Sequence, residues 1–451
     1  MPRFNPTLLC LWLLSAAGLF AVGQVAQPNI LMILVDDLGY GDLSCQGAGD
    51  LQTPAIDRLF ASGMTFENFY ANCTVCSPSR AAFLTGRYPD AVGVPGVVRQ
   101  DPNDTWGFLD PEVETVADVL AAAGYATALI GKWHLGLESP NLPNERGFEY
   151  FRGFLGDMMD DYWSHLRGGI NWMRHNGEVI EPAGHATDLF AEWAVEYLQS
   201  RVETAEPFFL FLSLNAPHDP VQPPRDWLQR VREREPGLTP KRARLVAFVE
   251  HMDAGIGKVL QQLERSGLAQ DTLVVFASDN GGALRFGANN GRLRGGKGDH
   301  FEGGIRVPMA ATWPGHIPSD SRSQNVALLM DLLPTLCELA AAQQPDLLDG
   351  LSLLPTLMGH EQVTNDRVLF WVRQEGNPRF GGHTYYAARY KNHKLLQNSP
   401  WEPYQYYDLA ADPYERAPLQ LTGATYSFLF NQLTEHIQRT TVPRRQLAKP
   451  L

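Results

Sequence analysis

The chain has 451 residues, of which 44% are hydrophobic and 19% charged, and its formal net charge is −13. This length suits one large α/β domain with a smaller one beside it, and the composition is that of a soluble globular protein. The acidic balance argues against nucleic acid as a partner. It does not exclude an anionic substrate, because a cationic pocket can form locally in an acidic protein.

The N-terminus has the pattern of an export signal. Arg3 precedes an apolar run at residues 8–22, and Ala21-Val22-Gly23 offers small residues for cleavage. The sequence therefore predicts a signal peptide at residues 1–23. The protein is expected to be exported, as a periplasmic or secreted protein, or a lysosomal or secretory one in a eukaryotic host. No later run is long and apolar enough to suggest stable membrane insertion.

Four apolar runs predict strands that are buried on both faces. They lie at residues 29–35, 126–130, 208–214 and 272–277. Helical patterns begin at Thr53-Pro54 and occupy residues 113–123, 188–199 and 242–263. Because strands and helices alternate, the sequence predicts an α/β fold with a large, mainly parallel sheet flanked by helices.

The last part of the chain has a different pattern. Short aromatic runs at residues 384–389, 390–396 and 404–409 alternate with turn residues, and a helical pattern follows at residues 426–440. This predicts a small antiparallel sheet with a terminal helix. The predicted organisation is a large α/β domain at residues 24–365 and a C-terminal subdomain at residues 366–451.

The segment Cys76-Ser77-Pro78-Ser79-Arg80 places a thiol close to a predicted helix start. Pro78 fits the first helical position, where its missing N–H has no cost. If the helix extends back to Cys76, then Cys76 and Arg80 share one face, at a helix end that attracts anions. The thiol could be buried and inert, or it could form a redox pair with Cys73 through the Cys-x-x-Cys spacing. A third interpretation of Cys76 depends on motifs that occur elsewhere in the chain.

Polar residues follow each predicted strand. These residues are Asp36 and Asp37, Lys132 and His134, His218, and Asp279 and Asn280. The carboxyl ends of parallel strands meet at one edge of a sheet, so these side chains are expected to converge there. The acidic residues and the asparagine supply hard oxygen ligands that suit Ca²⁺ or Mg²⁺. Each pair alone is more often a turn or a helix cap.

The cationic residues among them have ordinary alternatives as well. Lys132 and His134 alternate, so on an extended segment they would point the same way. Lys297 lies in a glycine-rich basic loop at residues 292–298, which suits close approach to an oxyanion. Lys132 and Lys297 could instead be ordinary loop lysines, and His134 could be a histidine packed in the core. His218 could simply lie in a rigid turn.

Taken together, the motifs resemble those of the type I, formylglycine-dependent sulfatases of the alkaline-phosphatase-like superfamily, over nearly the full mature length. The motifs that carry the resemblance, in the family's order, are Asp36-Asp37, Cys76-x-Pro78-x-Arg80 followed by Thr85-Gly86-Arg87, Gly131-Lys132-Trp133-His134-Leu135-Gly136, Ala216-Pro217-His218, Ser278-Asp279-Asn280-Gly281, and Gly295-Gly296-Lys297 with Glu302-Gly303-Gly304-Ile305-Arg306-Val307-Pro308. A set of this size in this order is specific, where a single motif would not be.

The resemblance implies a role for each residue. A formylglycine-generating enzyme would oxidise Cys76 to formylglycine, whose hydrate is the nucleophile. The implied ligands of a Ca²⁺ ion, with Mg²⁺ less expected, are Asp36, Asp37, the modified Cys76, Asp279 and Asn280. Among the other residues, the resemblance implies that Arg80 holds the hydrate and that Lys132 and Lys297 hold sulfate oxygens. His134 would help the hydrate to collapse. His218 would protonate the leaving oxygen, with Lys297 as a second candidate for that step.

The predicted activity is that of a sulfuric ester hydrolase that releases inorganic sulfate. A sulfated carbohydrate is the expected substrate, because residues 157–165 and 172–175 and the aromatic tail could line a sugar-sized cleft. Two alternatives stay open. One is a phosphate or phosphonate monoester hydrolase of the same superfamily. The other is a non-catalytic binder of sulfated glycans, which would follow if Cys76 were never oxidised.

Overall fold

The computed structural model describes residues 27–376 and 384–440, so the predicted signal peptide at residues 1–23 lies outside the described residues. The strands are β1 Asn29–Val35, β2 Met64–Tyr70, β3 Ala126–Lys132, β4 Tyr150–Phe154, β5 Leu166–Arg167, β6 Ile170–Asn171, β7 Met173–His175, β8 Glu178–Val179, β9 Phe208–Ser213, β10 Thr272–Ser278, β11 Met309–Thr312, β12 Ser321–Leu328, β13 Val368–Gln374, β14 Thr384–Tyr390, β15 His393–Gln397 and β16 Gln405–Asp408. The α-helices are α1 Pro54–Ser62, α2 Cys76–Thr85, α3 Val116–Ala122, α4 Ala186–Ser200, α5 Arg225–Arg234, α6 Pro240–Arg265, α7 Glu302–Ile305, α8 Leu332–Leu339, α9 Leu354–Leu357 and α10 Ala424–Thr440.

A ten-stranded sheet forms the centre of the molecule, in the order β12-β2-β11-β10-β1-β9-β3-β4-β7-β8. The five strands from β10 to β4 run parallel to one another, and β11 and β7 pair with them in the antiparallel sense. The mainly parallel sheet is confirmed. The four strands predicted from apolar runs are four adjacent strands of this parallel core, β10-β1-β9-β3.

Both faces of the central strands are buried, which explains why their sequences are continuously apolar. Along β1, Leu31 and Ile33 belong to one hydrophobic cluster, and Ile30 and Met32 belong to the other. Helices α1, α4 and α6 contribute to the first cluster, and α2, α3 and α8 contribute to the second. The sheet is therefore the middle of three layers. Among the residues that the structure describes, no helix is sufficiently long and apolar to span a bilayer.

Helix α2 begins earlier than the sequence predicts. Its first residue is Cys76 and its N-cap is Val75, so Pro78 is the third helical residue and the prediction that Pro78 begins the helix is wrong. Proline is tolerated throughout this first turn, because the N–H groups there have no acceptor within the helix. Gly86, at φ 65°, ends the helix with a hydrogen bond to the Ala82 carbonyl at 2.9 Å.

The C-terminal part of the described chain forms a second, antiparallel sheet in the order β13-β14-β15-β16. Helix α10 packs against it through Leu429 and Leu433, in a cluster that also contains Tyr70 and Ala82 of the first domain. The small antiparallel sheet is confirmed. The domain boundary at residue 365 stays a prediction, and it lies just before β13.

A buried ionic network joins the two sheets. Lys394 of β15 lies 2.8 Å from Glu302 Oε1 and 2.8 Å from Glu415 Oε1, and all three side chains are fully or almost fully buried. The Tyr70 hydroxyl donates to Glu302 Oε2 at 2.7 Å. Arg306 also pairs with Glu302, at 3.8 Å, whereas the ion pair of Glu415 is with Lys394. Loss of Lys394 therefore leaves negative charge in a low-dielectric environment.

Replacing Lys394 by Met should therefore destabilise the protein by about 3–5 kcal/mol, since the volume is kept and only the charge compensation is lost. Lys391→Met is the matched control, because Lys391 lies in the same hairpin and pairs with Asp366 at 3.3 Å on the exposed surface. Its expected cost is below about 1 kcal/mol. Urea denaturation of both variants measures the difference, and equal costs would contradict the role assigned to Lys394.

Candidate active site

The acidic residues that follow β1 and β10 lie together. These strands are parallel neighbours, with Val35 opposite Ser278, so the residues that follow them leave the sheet at the same edge. One carboxylate oxygen from each of Asp36, Asp37 and Asp279 lies within 4.8 Å of the others. Asp37 has φ 68°, in the left-handed region that aspartate tolerates better than most residues. The expected convergence of the acidic residues is thus present in the structure.

Arg80 connects these carboxylates to the helix. It is fully buried, and its Nε and Nη2 donate to Asp279 Oδ2 at 3.1 and 2.8 Å. Nη2 also donates to Asp36 Oδ2 at 3.3 Å. Nη1 donates to Ser213 Oγ at 2.5 Å and to the Lys132 carbonyl at 3.5 Å. The guanidinium therefore orients both carboxylates from α2. A contact between Arg80 and a hydrate stays a prediction.

Cys76 is the first residue of α2, so it shares a helix face with Arg80, as expected if the helix reached back to it. Its sulfur lies within 4.8 Å of ligand atoms of both Asp36 and His218. Burial raises the pKa of the Cys76 thiol to about 11, although Lys132 and Lys297 oppose the effect. At neutral pH the group is a thiol, which is a poor nucleophile compared with a thiolate.

The redox interpretation of Cys73 and Cys76 is not supported. Both cysteines are free, and burial raises the pKa of Cys73 to about 12. Cysteines that exchange disulfides have lowered pKa values in electropositive, accessible surroundings. The Cys73 thiol instead donates to the Val372 carbonyl at 3.4 Å, where the segment before α2 meets β13.

Two lysines lie against the acidic residues. Lys132, at the end of β3, is fully buried and donates to Asp36 Oδ2. Lys297 Nζ lies 2.7 Å from Asp37 Oδ1. Burial alone would lower the pKa of Lys297, but the neighbouring Asp37, Cys76 and Asp36 raise it above the usual lysine value. Lys297 thus stays protonated, and each ammonium group is positioned to meet an anion that approaches this edge.

His134 reaches the site by a different backbone path from the one predicted. Strand β3 ends at Lys132 and His134 has φ 64°, so the extended segment assumed for the two residues is wrong. His134 Nε2 donates to the Val98 carbonyl at 2.9 Å. Burial, followed by Lys132 and Arg80, lowers the pKa of His134 well below its usual value. Its Nδ1 is buried and has no hydrogen-bond partner among the described residues, so the neutral ring keeps a free lone pair there.

His218 lies on the loop that follows β9. Its Nδ1 pairs with the Asp219 carbonyl at 2.6 Å, so Nδ1 must carry the hydrogen, and its Nε2 lies 3.7 Å from Asp37 Oδ2. The buried Tyr162 hydroxyl lies 2.9 Å from the Asn215 carbonyl and 3.0 Å from the His218 carbonyl. Tyr162 therefore fixes the backbone that carries His218.

The acidic cluster fits a hard divalent cation. Asp36 Oδ1 and Asn280 Oδ1 are buried, and neither has a hydrogen-bond partner among the described residues. Burial and the charge of Asp36 raise the pKa of Asp279, whereas burial of Asp36 is outweighed by cations, first Lys132, that lower its pKa. The three carboxylates of the cluster are paired with Arg80, Lys132 and Lys297, so the unused lone pairs are what mark it as a metal site. Carboxylate and amide oxygens of this kind are the ligands that Ca²⁺ and Mg²⁺ prefer.

The loop expected to help line a sugar cleft uses several polar groups internally. Asp157 binds Arg167 through both carboxylate oxygens at 3.0 Å, and Asp160 binds it at 2.8 Å. Asp161 accepts the backbone N–H groups of Trp163 and Ser164 at 2.9 and 2.8 Å. These bonds stabilise the loop, and they assign none of the three acidic residues to a sulfate.

Sequence reasoning missed three residues that support the site. Ser213 accepts from Arg80 and donates to the Lys132 carbonyl at 2.6 Å, and Ser278 accepts from the Leu38 N–H at 3.1 Å. Each serine lies near the end of an otherwise apolar strand, and this isolated polar position was the available signal. Tyr162 carried no such signal, because its contact depends on how a distant loop packs.

The comparisons with known proteins agree with this geometry. Residues 28–342 match the family model for sulfatases, and residues 297–442 match the model for the C-terminal part of N-sulphoglucosamine sulphohydrolase. The chain is 32% identical to N-acetylgalactosamine-6-sulfatase of Rattus norvegicus, over 96% of this chain and 88% of the relative. It is 34% identical to arylsulfatase A of Homo sapiens, over 93% of this chain and 84% of the relative.

A solved structure supports the same conclusion. The crystal structure of Ps i-CgsB in complex with k-i-k-neocarrahexaose superposes with a TM-score of 0.83 at 30% identity, covering 93% of this chain and 94% of that one. The fold and the polar edge of its sheet thus define an enzyme of the alkaline-phosphatase-like superfamily. Within that superfamily, the chain belongs to the sulfatase family: it is a type I sulfatase, and its activity is the hydrolysis of sulfate esters.

Replacing Tyr162 by Phe should lower kcat for an aryl sulfate about fivefold with little change in KM, because one hydrogen bond worth about 1 kcal/mol no longer holds the His218 loop. Tyr197→Phe is the matched control, since the Tyr197 hydroxyl contacts the Ala126 carbonyl, at the opposite end of β3 from Lys132. Steady-state kinetics of both variants makes the comparison. An unchanged kcat in the Tyr162 variant would show that the hydroxyl does not position the loop.

Proposed function

We propose that this sulfatase releases inorganic sulfate from a sulfated carbohydrate, using a formylglycine made from Cys76 and a bound Ca²⁺ ion. The observation that carries the proposal is the position of Cys76. It begins α2 among Asp36, His218 and two lysines, yet its thiol has a pKa of about 11 and is poorly suited to attack as it stands. Export through residues 1–23 and maturation by a formylglycine-generating enzyme belong to the same proposal.

The modified side chain would supply the nucleophile. A hydrated aldehyde at position 76 offers one hydroxyl for attack on sulfur and a second that lets the aldehyde re-form as sulfate leaves. His134 is suited to take the proton of the second hydroxyl, because its ring is neutral and its Nδ1 lone pair is unused among the described residues. The bond from His134 Nε2 to the Val98 carbonyl fixes that tautomer.

The sulfate oxygens need positive charge around them, because negative charge is redistributed over them in the transition state. Lys132 and Lys297 would contact two of these oxygens, exchanging part of their present pairing with Asp36 and Asp37. Asp36, Asp37, Asp279 and Asn280 would hold the Ca²⁺ ion, which would supply a further positive charge to the sulfate. Arg80 would keep Asp36 and Asp279 oriented for this purpose.

The alcohol released from the ester must gain a proton as the S–O bond breaks. His218 is suited to give this proton from its Nε2, because its Nδ1–H already donates to the Asp219 carbonyl. Nε2 faces Asp37, at the acidic cluster. Lys297, which contacts the same carboxylate, is the second candidate for this proton.

The carbohydrate part of the proposal is supported by relatives. N-acetylgalactosamine-6-sulfatase is named for a sulfated sugar, and the Ps i-CgsB structure contains a neocarrahexaose. Arylsulfatase A and steryl-sulfatase, also related over most of the chain, are named for other substrates. Purified protein should therefore be assayed against both sulfated sugars and aryl sulfates.

Protein from a host with a formylglycine-generating enzyme should carry an aldehyde at position 76, seen by peptide mass spectrometry as CHO in place of CH₂SH. Replacing Cys76 by Ala should abolish sulfate release, because the nucleophile is lost. Cys73→Ala is the matched control: it removes the other buried thiol of the Cys-x-x-Cys segment and should leave the aldehyde at position 76 in place.

Two outcomes would contradict this proposal. A free thiol at position 76 in active protein would exclude the formylglycine, and loss of the aldehyde in the Cys73 variant would revive a coupled pair of cysteines. Matched sulfate, phosphate and phosphonate monoesters test the ester itself. Turnover of the phosphorus esters above that of the sulfate would favour the alternative hydrolase.

Calcium chloride added to chelator-treated protein should raise the thermal unfolding midpoint, because a ligand that binds only the folded state stabilises it by about 2.7 kcal/mol at 100 times its Kd. In Asn280→Ala the rise should shrink, since the unpaired Oδ1 is removed. Asn325→Ala is the matched control and should keep the full rise, because the Asn325 amide donates to the Thr356 hydroxyl, far along the sheet from the acidic cluster. Equal rises in both variants would place the ion elsewhere.

A further inference from the structure

One buried asparagine joins three of the loops that form the proposed site. Asn290 lies in the segment between β10 and α7 and is only 2% exposed. Its side-chain amide contacts the segment that follows β1, the segment that follows β10 and the segment that leads to Lys297. The contacts are with the backbone of Tyr40, Gly282 and Gly295. Each of these segments carries a residue of the proposed site.

All four hydrogen-bonding positions of the Asn290 amide are used. Oδ1 accepts the N–H groups of Tyr40 and Gly282 at 3.3 and 3.0 Å. Nδ2 donates to the carbonyls of Gly282 and Gly295 at 3.3 and 3.0 Å. An amide offers two donor hydrogens and two acceptor lone pairs, so this side chain is fully satisfied. The reverse orientation would set N–H against N–H and oxygen against oxygen, so the network fixes the orientation of the amide.

The segments approach the amide at distances that exclude a larger residue than glycine. A Cβ on Gly296 would lie 2.6 Å from the Gly282 carbonyl oxygen and 3.0 Å from Asn290 Nδ2. A Cβ on Gly282 would lie 2.7 Å from the Cα atom of Gly39. The glycines therefore allow the backbone to pack directly around Asn290, and the amide holds the packed segments together.

Lys297 is linked to this amide in two ways. Its N–H donates to the Gly282 carbonyl at 3.1 Å, the same oxygen that accepts from Asn290 Nδ2. Gly295, two residues before Lys297, is held by the other Nδ2 contact. Gly282 in turn follows Asn280 by two residues. The backbone of Lys297 is thus positioned relative to the strand end that carries part of the acidic cluster.

We propose that Asn290 is a positioning residue, which sets the distance between Lys297 and the acidic cluster and thereby how well Lys297 holds a sulfate oxygen. It acts through backbone contacts and does not touch the substrate. Aspartate would lack both donors, so the residue type is specific to this arrangement. The inference rests on the proposed function, because it takes Lys297 to contact the sulfate.

Asn290→Asp tests this inference with little change of shape. The carboxylate can still accept from Tyr40 and Gly282, but it turns an oxygen toward the carbonyls of Gly282 and Gly295. The repulsion should displace Lys297. The inhibition constant of inorganic sulfate, measured with an ester that the wild-type enzyme hydrolyses, should rise about fivefold, as expected for the loss of one hydrogen bond.

Asn289→Asp is the matched control for the added charge. Asn289 is exposed, and its Oδ1 accepts the Gly291 N–H at 2.8 Å, a bond that a carboxylate can also make. Its inhibition constant should stay within about twofold of the wild-type value, because an exposed charge has a small effect.

Asn290→Ser and Asn289→Ser are a second, uncharged pair, which keeps the inference testable if Asn290→Asp does not fold. Serine is too short to make all four contacts, and water can replace part of the lost amide. The inhibition constant of inorganic sulfate should therefore rise about threefold in Asn290→Ser and stay unchanged in Asn289→Ser.

The rise in thermal midpoint on addition of calcium chloride separates a displaced Lys297 from a general loosening of the site. Asn290→Asp keeps the bonds to the segments that carry the acidic residues, so its rise should equal that of Asn289→Asp. A lower overall stability shifts the midpoints with and without calcium together. Loss of the calcium-dependent rise in Asn290→Asp would show a general loosening and overturn the inference.

Lys297→Ala distinguishes a failure of this inference from a failure of the proposed function. It should raise the inhibition constant of sulfate at least about tenfold, because a charge-assisted contact is lost. If it does so and the Asn290 variants match their Asn289 controls, the inference is overturned and the proposed function stands. If Lys297→Ala leaves the inhibition constant unchanged, the sulfate contact assigned to Lys297 is itself wrong, and the inference is overturned with it.

Discussion

The site depends on one buried guanidinium. Arg80 reaches from the second turn of α2 to the ends of four neighbouring strands. Its partners are Asp36 after β1, Asp279 after β10, Ser213 of β9 and the carbonyl of Lys132 in β3. A charge this deeply buried is tolerated only when it is paired and fully hydrogen-bonded. The acceptors that satisfy this requirement also fix the distance between the helix that carries Cys76 and the edge that carries the acidic cluster.

A second constraint acts on the loop that holds Lys297: Gly281 lies very close to the backbone of Gly303 and Gly304. A Cβ on Gly281 would lie 1.9 Å from the Gly303 carbonyl oxygen, so no larger residue fits at position 281 without moving the backbone. The Gly281 N–H donates to the Gly304 carbonyl at 3.0 Å, and Glu302, beside these glycines, pairs with Lys394 of the C-terminal sheet. The small sheet thereby helps to set the position of the loop that holds Lys297.

The sequence indicated the parallel core of the fold for a simple reason. The strands β1, β3, β9 and β10 are buried on both faces and read as apolar runs, and polar residues at their ends converge because parallel strands share an edge. Strands β2, β11 and β12 lacked this pattern, and their pairing depends on tertiary contacts. The path of His134 could not be predicted, because its positive φ arises from local packing and not from residue type.

The depth of Cys76 has a consequence for how the protein is made. The residue is only 3% exposed, and every other residue of α2 is buried with it, between the main sheet and the small one. No second protein can grip this segment in the folded molecule without separating the helix from its neighbours. If another enzyme oxidises Cys76, as proposed, that reaction must therefore precede the packing of α2, because the folded chain shields the thiol. Under that proposal, the fraction of molecules that carry the aldehyde is set before the chain finishes folding.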